Sequence, residues 1–204
     1  MKSRTGPSKI VSDNRFVVLI FLGIAAIFLY LRAFLLPATP IDASGDEVHY
    51  FLYGIRILRG LVPYRDFYTF VPPGKDLLYA GIFRLFGVHQ WVSASIGVVL
   101  GLLLTASIIW VSSSVLRGAL IFLPGLLFLV FDYTNSFDAT HHWWSTLSLV
   151  AAVGILLDGV SDRRIFAAGT LCGVATLFTQ TQGGLGLAAI ALHVILSTPR
   201  EAEE

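Results

Sequence analysis

Residues Phe16–Leu36, FVVLIFLGIAAIFLYLRAFLL, decide the fold. As an α-helix this run of about 20 residues spans roughly 30 Å, the thickness of a bilayer's hydrocarbon core. Lys2, Arg4, Lys9 and Arg15 precede it. A secretory signal peptide carries an apolar region of only about 7–15 residues before a small-residue cleavage site. This run is longer, so it reads as an uncleaved first transmembrane helix.

Composition points the same way. Of 204 residues, 55% are hydrophobic and 13% charged, with a mean hydropathy of +0.77. An ordinary soluble domain carries roughly 25% charged residues. A chain this apolar has too little polar surface to face water, so the bilayer is its expected solvent, with membrane lipids as its neighbours. The formal net charge is +1, which supplies no basic stripe, and no nucleic-acid partner is expected. Cys172 is the only cysteine. No internal disulfide can form, and an apolar setting raises a thiol's pKa, which argues against a reactive role.

Further apolar runs follow at Trp91–Leu116, Ala119–Phe131, Trp143–Leu157 and Ile165–Leu196. The last is too long for one straight span, and its middle, Thr179-Gln180-Thr181-Gln182-Gly183-Gly184, is polar and glycine-rich. A broken helix and a re-entrant turn both fit that stretch. The expectation is an all-α integral membrane protein with five spans, or six if the last run is broken. Lys2, Arg4, Lys9 and Arg15, then Arg117, then Arg163 and Arg164 fall on one side of alternating crossings, and by the positive-inside rule that side is cytoplasmic. The expected plan is a single membrane domain over 1–204, with a cytoplasmic N-terminus at 1–15. The first helix covers 16–36, an outward loop 37–90, further spans 91–196 and a tail 197–204.

The outward loop has its own periodicity. After Gly45, Val48, Phe51, Leu52, Ile55 and Leu58 recur at helical spacing, which suits a helix lying flat in the membrane interface. Asp46 stands at its N-cap and Gly60 closes it. Val62-Pro63-Tyr64-Arg65-Asp66 and Val71-Pro72-Pro73-Gly74 must be turns or extended chain, because proline restricts itself and its predecessor. A second helix is expected from about Lys75 to Phe86, ending at Gly87.

Several residues in and near this loop could carry chemistry. An acid at a helix start is stabilised by unpaired N–H groups, and from local sequence that role is favoured for Asp46-Glu47. A carboxylate at a water–lipid boundary also has the chemistry of a general base toward a sugar hydroxyl, and the two roles are compatible. Arg56, Arg59, Arg65 and Lys75 suit lipid headgroups by snorkelling, the favoured reading for any single one, and a guanidinium fork also suits the phosphate of a lipid donor. His141 and His142 are adjacent, so on a helix they point about 100° apart and cannot chelate one ion without outside ligands. With Trp143 and Trp144 following, an aromatic belt is the better reading. Asp132 and Asp138 read as solvated loop acids, with Asp138 a candidate to face the same cavity as Asp46.

In combination, Asp46-Glu47-x-x-Tyr50, Gly60-Leu61-Val62-Pro63-Tyr64-Arg65-Asp66-Phe67 and Pro72-Pro73-Gly74 resemble the first extracytoplasmic loop of the GT-C glycosyltransferases. The nearest subgroup is the RgtA/B/C/D-like and protein-mannosyltransferase/aminoarabinose-transferase-like one. The resemblance covers about residues 16–196, the N-terminal part of such enzymes. It implies inverting transfer of a sugar from a polyprenyl-phosphate donor to a glycan, lipid or protein acceptor on the outer face of a bacterial inner membrane. By the resemblance Asp46 is the acceptor-activating acid and Glu47 accompanies it. Tyr50 packs the loop, and Arg65 and Lys75 are candidates for the donor phosphate; Asp66, Asp138 and Gln180 complete the implied substrate-binding set. No cofactor and no catalytic metal are implied.

Two positions depart from the family pattern. Gln180 stands where members commonly have a Lys, and Val71 stands where many have His, Asn or Lys. Family enzymes are also longer, so a second polypeptide supplying further helices is an implied partner, beside the alternatives of a truncated product or an inactive remnant. Two other classes stay open. One is a non-catalytic protein that binds a polyprenyl lipid or scaffolds glycan assembly. The other, least favoured because the spans hold few charges to mark a path, is a small transporter.

Overall fold

The structure, a computed structural model, describes residues 15–35, 37, 39–41, 46–135 and 139–197. Its described residues form eight α-helices: α1 (Arg15–Ala33), α2 (Asp46–Leu58), α3 (Gly74–Phe86), α4 (Gln90–Ser112), α5 (Leu123–Leu127), α6 (His141–Leu157), α7 (Asp162–Phe178) and α8 (Gln180–Ser197). Two are long and apolar enough to cross a membrane, α1 and α4. That is fewer than the five or six anticipated. The other apolar helical segments, Gly118–Tyr133, His141–Leu157 and Gln180–Leu196, are shorter. At about 1.5 Å per residue, a 17-residue helix reaches only about 25 Å.

Two of these segments are short because the apolar runs beneath them are short, Ala119–Phe131 and Trp143–Leu157. Pro124 lies at the start of α5 and has no N–H to give. Just before it the run from Gly118 begins as a 3₁₀ turn (Gly118–Phe122), and beyond α5 it ends as a π-helical turn, Phe128–Tyr133. The long final run is divided at Thr179, whose extended backbone (φ −146°, ψ 107°) stops α7 before α8 begins. The two helices fold back on each other, with Ala168 and Cys172 of α7 packed with Ile190 and Val194 of α8. Gly183 permits this reversal, because a side chain there would meet the Thr176 backbone. One feature was unforeseen, a short antiparallel pairing of Phe34–Leu35 (β1) with Thr39–Pro40 (β2) after α1.

The surface helices begin and end close to where periodicity placed them. At the end of α2, Gly60 has φ 85°. Its N–H donates to Ile57 O (2.9 Å) and that of Leu61 to Arg56 O (3.1 Å), the paired closure that a left-handed glycine allows. Gly87, with φ 82°, ends α3 through an N–H donated to Phe83 O. The main core gathers on α4: Val92, Ile96, Leu100 and Leu104 pack with Ala25 and Leu29 of α1, Tyr79 and Phe83 of α3, and Tyr133. Hence α3 does not merely rest on a surface. Its Lys75, Asp76, Tyr79, Ala80 and Phe83 are all buried, and α2 packs on it through Gly54, whose missing side chain admits Tyr79.

Candidate functional site

The first turn of α2 places Asp46 and Glu47 side by side, about 100° apart around the helix axis. They meet opposite surroundings. Asp46 is exposed. The Glu47 carboxylate turns inward and accepts hydrogen bonds from Lys75 Nζ at 2.9 Å, Ser93 Oγ at 2.6 Å and the Tyr79 hydroxyl. Lys75 is fully buried, and its ammonium sits 3.8 Å from the centre of the Tyr50 ring, on the electron-rich face that attracts cations. The Tyr50 hydroxyl in turn pairs with His141 Nδ1 at 2.7 Å. One connected group of side chains therefore joins α2, α3, α4 and the start of α6.

Asp46 belongs to the rim of this group, since both its charge and that of Lys75 lie within electrostatic reach of His141. His141 is thus not the exposed interfacial aromatic that its sequence context implied. It is buried, with its ring centre 4.0 Å from that of exposed His142. Among the described residues no three His, Cys, Asp or Glu side chains are grouped to hold a metal ion.

The turn between the surface helices is tied by local hydrogen bonds. Tyr64 adopts φ 65°, a left-handed conformation that is uncommon for a bulky residue. Local bonds hold it: Tyr64 N–H donates to Phe67 O (2.8 Å) and its hydroxyl to Val71 O (2.7 Å). Asp66 accepts from Val62 N–H (2.8 Å) and from both Nε and Nη2 of Arg65 (3.0 and 2.7 Å). Those bonds hold the Asp66 carboxyl down at about 2. Arg65 is thus committed to its neighbour at an exposed turn. Arg56 lies over the Tyr53 and Phe67 rings at 5.6 and 5.5 Å.

Asp76, which sequence reasoning passed over, lies beside this turn. It is fully buried, and burial pushes its carboxyl up to about 6 against the opposing pull of Lys75 and Thr69. The Thr69 hydroxyl nevertheless donates to Val71 O (3.2 Å), and neither Asp76 oxygen accepts a well-formed hydrogen bond. A buried acid with few partners is a recognisable signal only once its burial is known. Nothing in the local sequence gives that.

The remaining expected residues are dispersed. Gln180 is exposed at the first residue of α8. The α7–α8 elbow does approach α3, with Gly74 against the Leu177 carbonyl. Asp138 lies outside the described residues. The structure therefore brings Asp46, Glu47, Tyr50 and Lys75 together, adds Tyr79, Ser93 and His141, and leaves Arg65 and Asp66 in a separate local pair. No family model, curated protein or solved structure matches the chain.

Proposed function

We propose that this chain is a multi-spanning protein of a bacterial inner membrane with its N-terminus in the cytoplasm. In this reading its outward loop carries the acceptor-activating part of a GT-C type glycosyl transfer from a polyprenyl-phosphate sugar. The membrane part is supported by what the outer faces present. On α1, Phe16, Leu19, Ile24, Ile27 and Leu31 are each more than half exposed, as are Leu185, Leu187, Leu192, Ile195 and Leu196 on α8. Apolar area of that extent is at home in hydrocarbon and costly in water.

The observation that carries the chemical part is the contrast between two adjacent acids. Glu47 is consumed by three donors, while Asp46, its neighbour in the same helical turn, is exposed. In the proposed step Asp46 takes the proton from an acceptor hydroxyl. That oxygen attacks the anomeric carbon as the bond to the lipid phosphate breaks, so the electron pair leaves with the phosphate and the configuration inverts. The donor is a lipid-linked sugar, and the acceptor a glycan, lipid or protein. The test is transfer by membranes containing the Asp46→Asn variant, supplied with polyprenyl-phosphate sugars. Loss of transfer with insertion retained supports the reading, and undiminished transfer refutes it.

A second reading, lipid binding without catalysis, has its own observation. A groove of about 450 Å³ between α6 and α8 is lined by Leu149, Val153, Leu156, Ala189, Ile190 and other side chains, nearly all apolar. A protein of this kind would bind a polyprenyl chain and be indifferent to Asp46→Asn.

A further inference from the structure

The resemblance makes Lys75 a ligand of the donor phosphate and Glu47 a second acid of the reaction. Their surroundings argue for another role. A carboxylate has about four lone-pair sites, and three donors from two helices already address Glu47: Lys75 and Tyr79 of α3, and Ser93 of α4. Lys75 has no exposed side-chain surface. Its ammonium is enclosed between Glu47 and the face of Tyr50, with the Tyr79 ring centre 5.3 Å away. A phosphate would have to displace these partners to touch it. A buried ion pair is stable only when its remaining donors and acceptors are satisfied, and removing one member leaves the other charge uncompensated. Three donors address Glu47, the Lys75 ammonium lies against Glu47 and the Tyr50 ring, and Glu47 is one residue from Asp46.

We propose that Glu47 and Lys75 are positioning residues: their buried pair, tied off by Tyr50, Tyr79 and Ser93, clamps the first turn of α2 to α3 and α4. The clamp fixes where the exposed Asp46 carboxylate stands, and Lys75 does not meet the donor phosphate. The inference rests on the transfer reading for the role of Asp46, while the clamp itself follows from the contacts. Two consequences separate it from direct phosphate binding. Replacing the whole pair by apolar residues of similar volume should preserve the turn, whereas replacing one member should disturb it. Affinity for a polyprenyl phosphate should be indifferent to Lys75.

The experiment uses the full chain in nanodiscs, as wild type, Lys75→Met, Glu47→Gln, Tyr79→Phe and the double variant Glu47→Leu/Lys75→Met. Two quantities are read from folded protein: the rate at which a water-soluble carbodiimide modifies Asp46, resolved by peptide mass spectrometry, and the dissociation constant for undecaprenyl phosphate. The expected result is a threefold or larger change in Asp46 reactivity in the single variants, with return to near the wild-type rate in the double. Undecaprenyl phosphate affinity should stay within twofold of wild type in the double.

A tenfold loss of affinity in Lys75→Met that persists in the double would make Lys75 the phosphate ligand and overturn the proposal. Unchanged Asp46 reactivity in folded single variants would overturn it too. Should the charged single variants not fold, Tyr79→Phe and the double still decide: Tyr79→Phe must shift Asp46 reactivity and the double must not. If wild type binds no undecaprenyl phosphate, the transfer reading fails, and the reactivity series alone settles whether the clamp positions Asp46.

Discussion

Substituting Gly54 tests how tightly the helix bearing Asp46 is seated. A methyl group there would stand 2.9 Å from Tyr79 Cβ and 3.3 Å from both the Ala80 amide nitrogen and Phe83 Cδ2. Carbon atoms in ordinary contact are about 3.5–4.0 Å apart, so α2 must back away from α3 by several tenths of an ångström. Overpacking of this sort costs about 1–3 kcal/mol, and replacing a helical glycine returns about 1 kcal/mol. Gly81 of α3 is the internal control, because a methyl group there meets nothing within 4 Å, and Gly81→Ala takes only the gain. The two variants should therefore differ by about 1–3 kcal/mol, or roughly 2–12 °C in Tm for a chain of this size. Thermal unfolding of the purified protein in nanodiscs, followed by intrinsic fluorescence, reads the difference. Should Gly54→Ala be as stable as Gly81→Ala, the close seating of α2 on α3 is wrong.

Three further outcomes are expected. Asp46→Asn abolishes sugar transfer while the protein stays inserted, and because Asp46 is exposed at the start of a helix, its unfolding free energy falls by no more than about 1 kcal/mol. Tyr50→Phe keeps the ring over Lys75 but leaves His141 Nδ1 without its partner, at a cost of about 1–3 kcal/mol in chemical denaturation; Tyr50→Leu removes both interactions and should cost more. The third concerns Asp76. Its carboxyl titrates at about 6 when folded against 3.8 for an unperturbed aspartate, so the native form holds the proton more tightly. Stability is then greatest below about pH 4 as far as this group is concerned, and declines as pH rises through 6. A two-unit rise corresponds to about 3 kcal/mol at most. Asp76→Asn should flatten that decline in unfolding measured across pH 4–7, and an unaltered profile would refute the assignment.

Much of the chain's local structure was legible without coordinates. The apolar length of α1, the 3.6-residue recurrence in Val48, Phe51, Leu52, Ile55 and Leu58, and the stops at Gly60 and Gly87 are all properties of contiguous residues. So is the interruption near Thr179, where polar and glycine residues divide an apolar run. Backbone preference and side-chain period act over a few residues, and a sequence displays them directly. The number of crossings was less legible, because Ala119–Phe131 and Trp143–Leu157 are short as apolar runs and Thr179 divides the last one, which leaves α1 and α4 as the helices on long unbroken runs.

The site divides along the same line. The sequence by itself determined that Asp46 and Glu47 open a helix beside a proline-rich turn, and that Lys75 opens the next. Only the tertiary structure decided that Glu47 turns inward and Asp46 outward. The partners that make the difference lie far off in sequence: Lys75 is 28 residues from Glu47, Ser93 is 46 from it, and His141 is 91 from Tyr50. Which of two neighbouring carboxylates becomes buried depends on which face of α2 meets α3, and that is set by Gly54 and the ring of Tyr79 rather than by either acid. In α2 the apolar period located the helix but not its covered face: Val48, Leu52 and Leu58 stay exposed while Tyr50 and Gly54 are buried, because which face is covered is settled only when the helices pack.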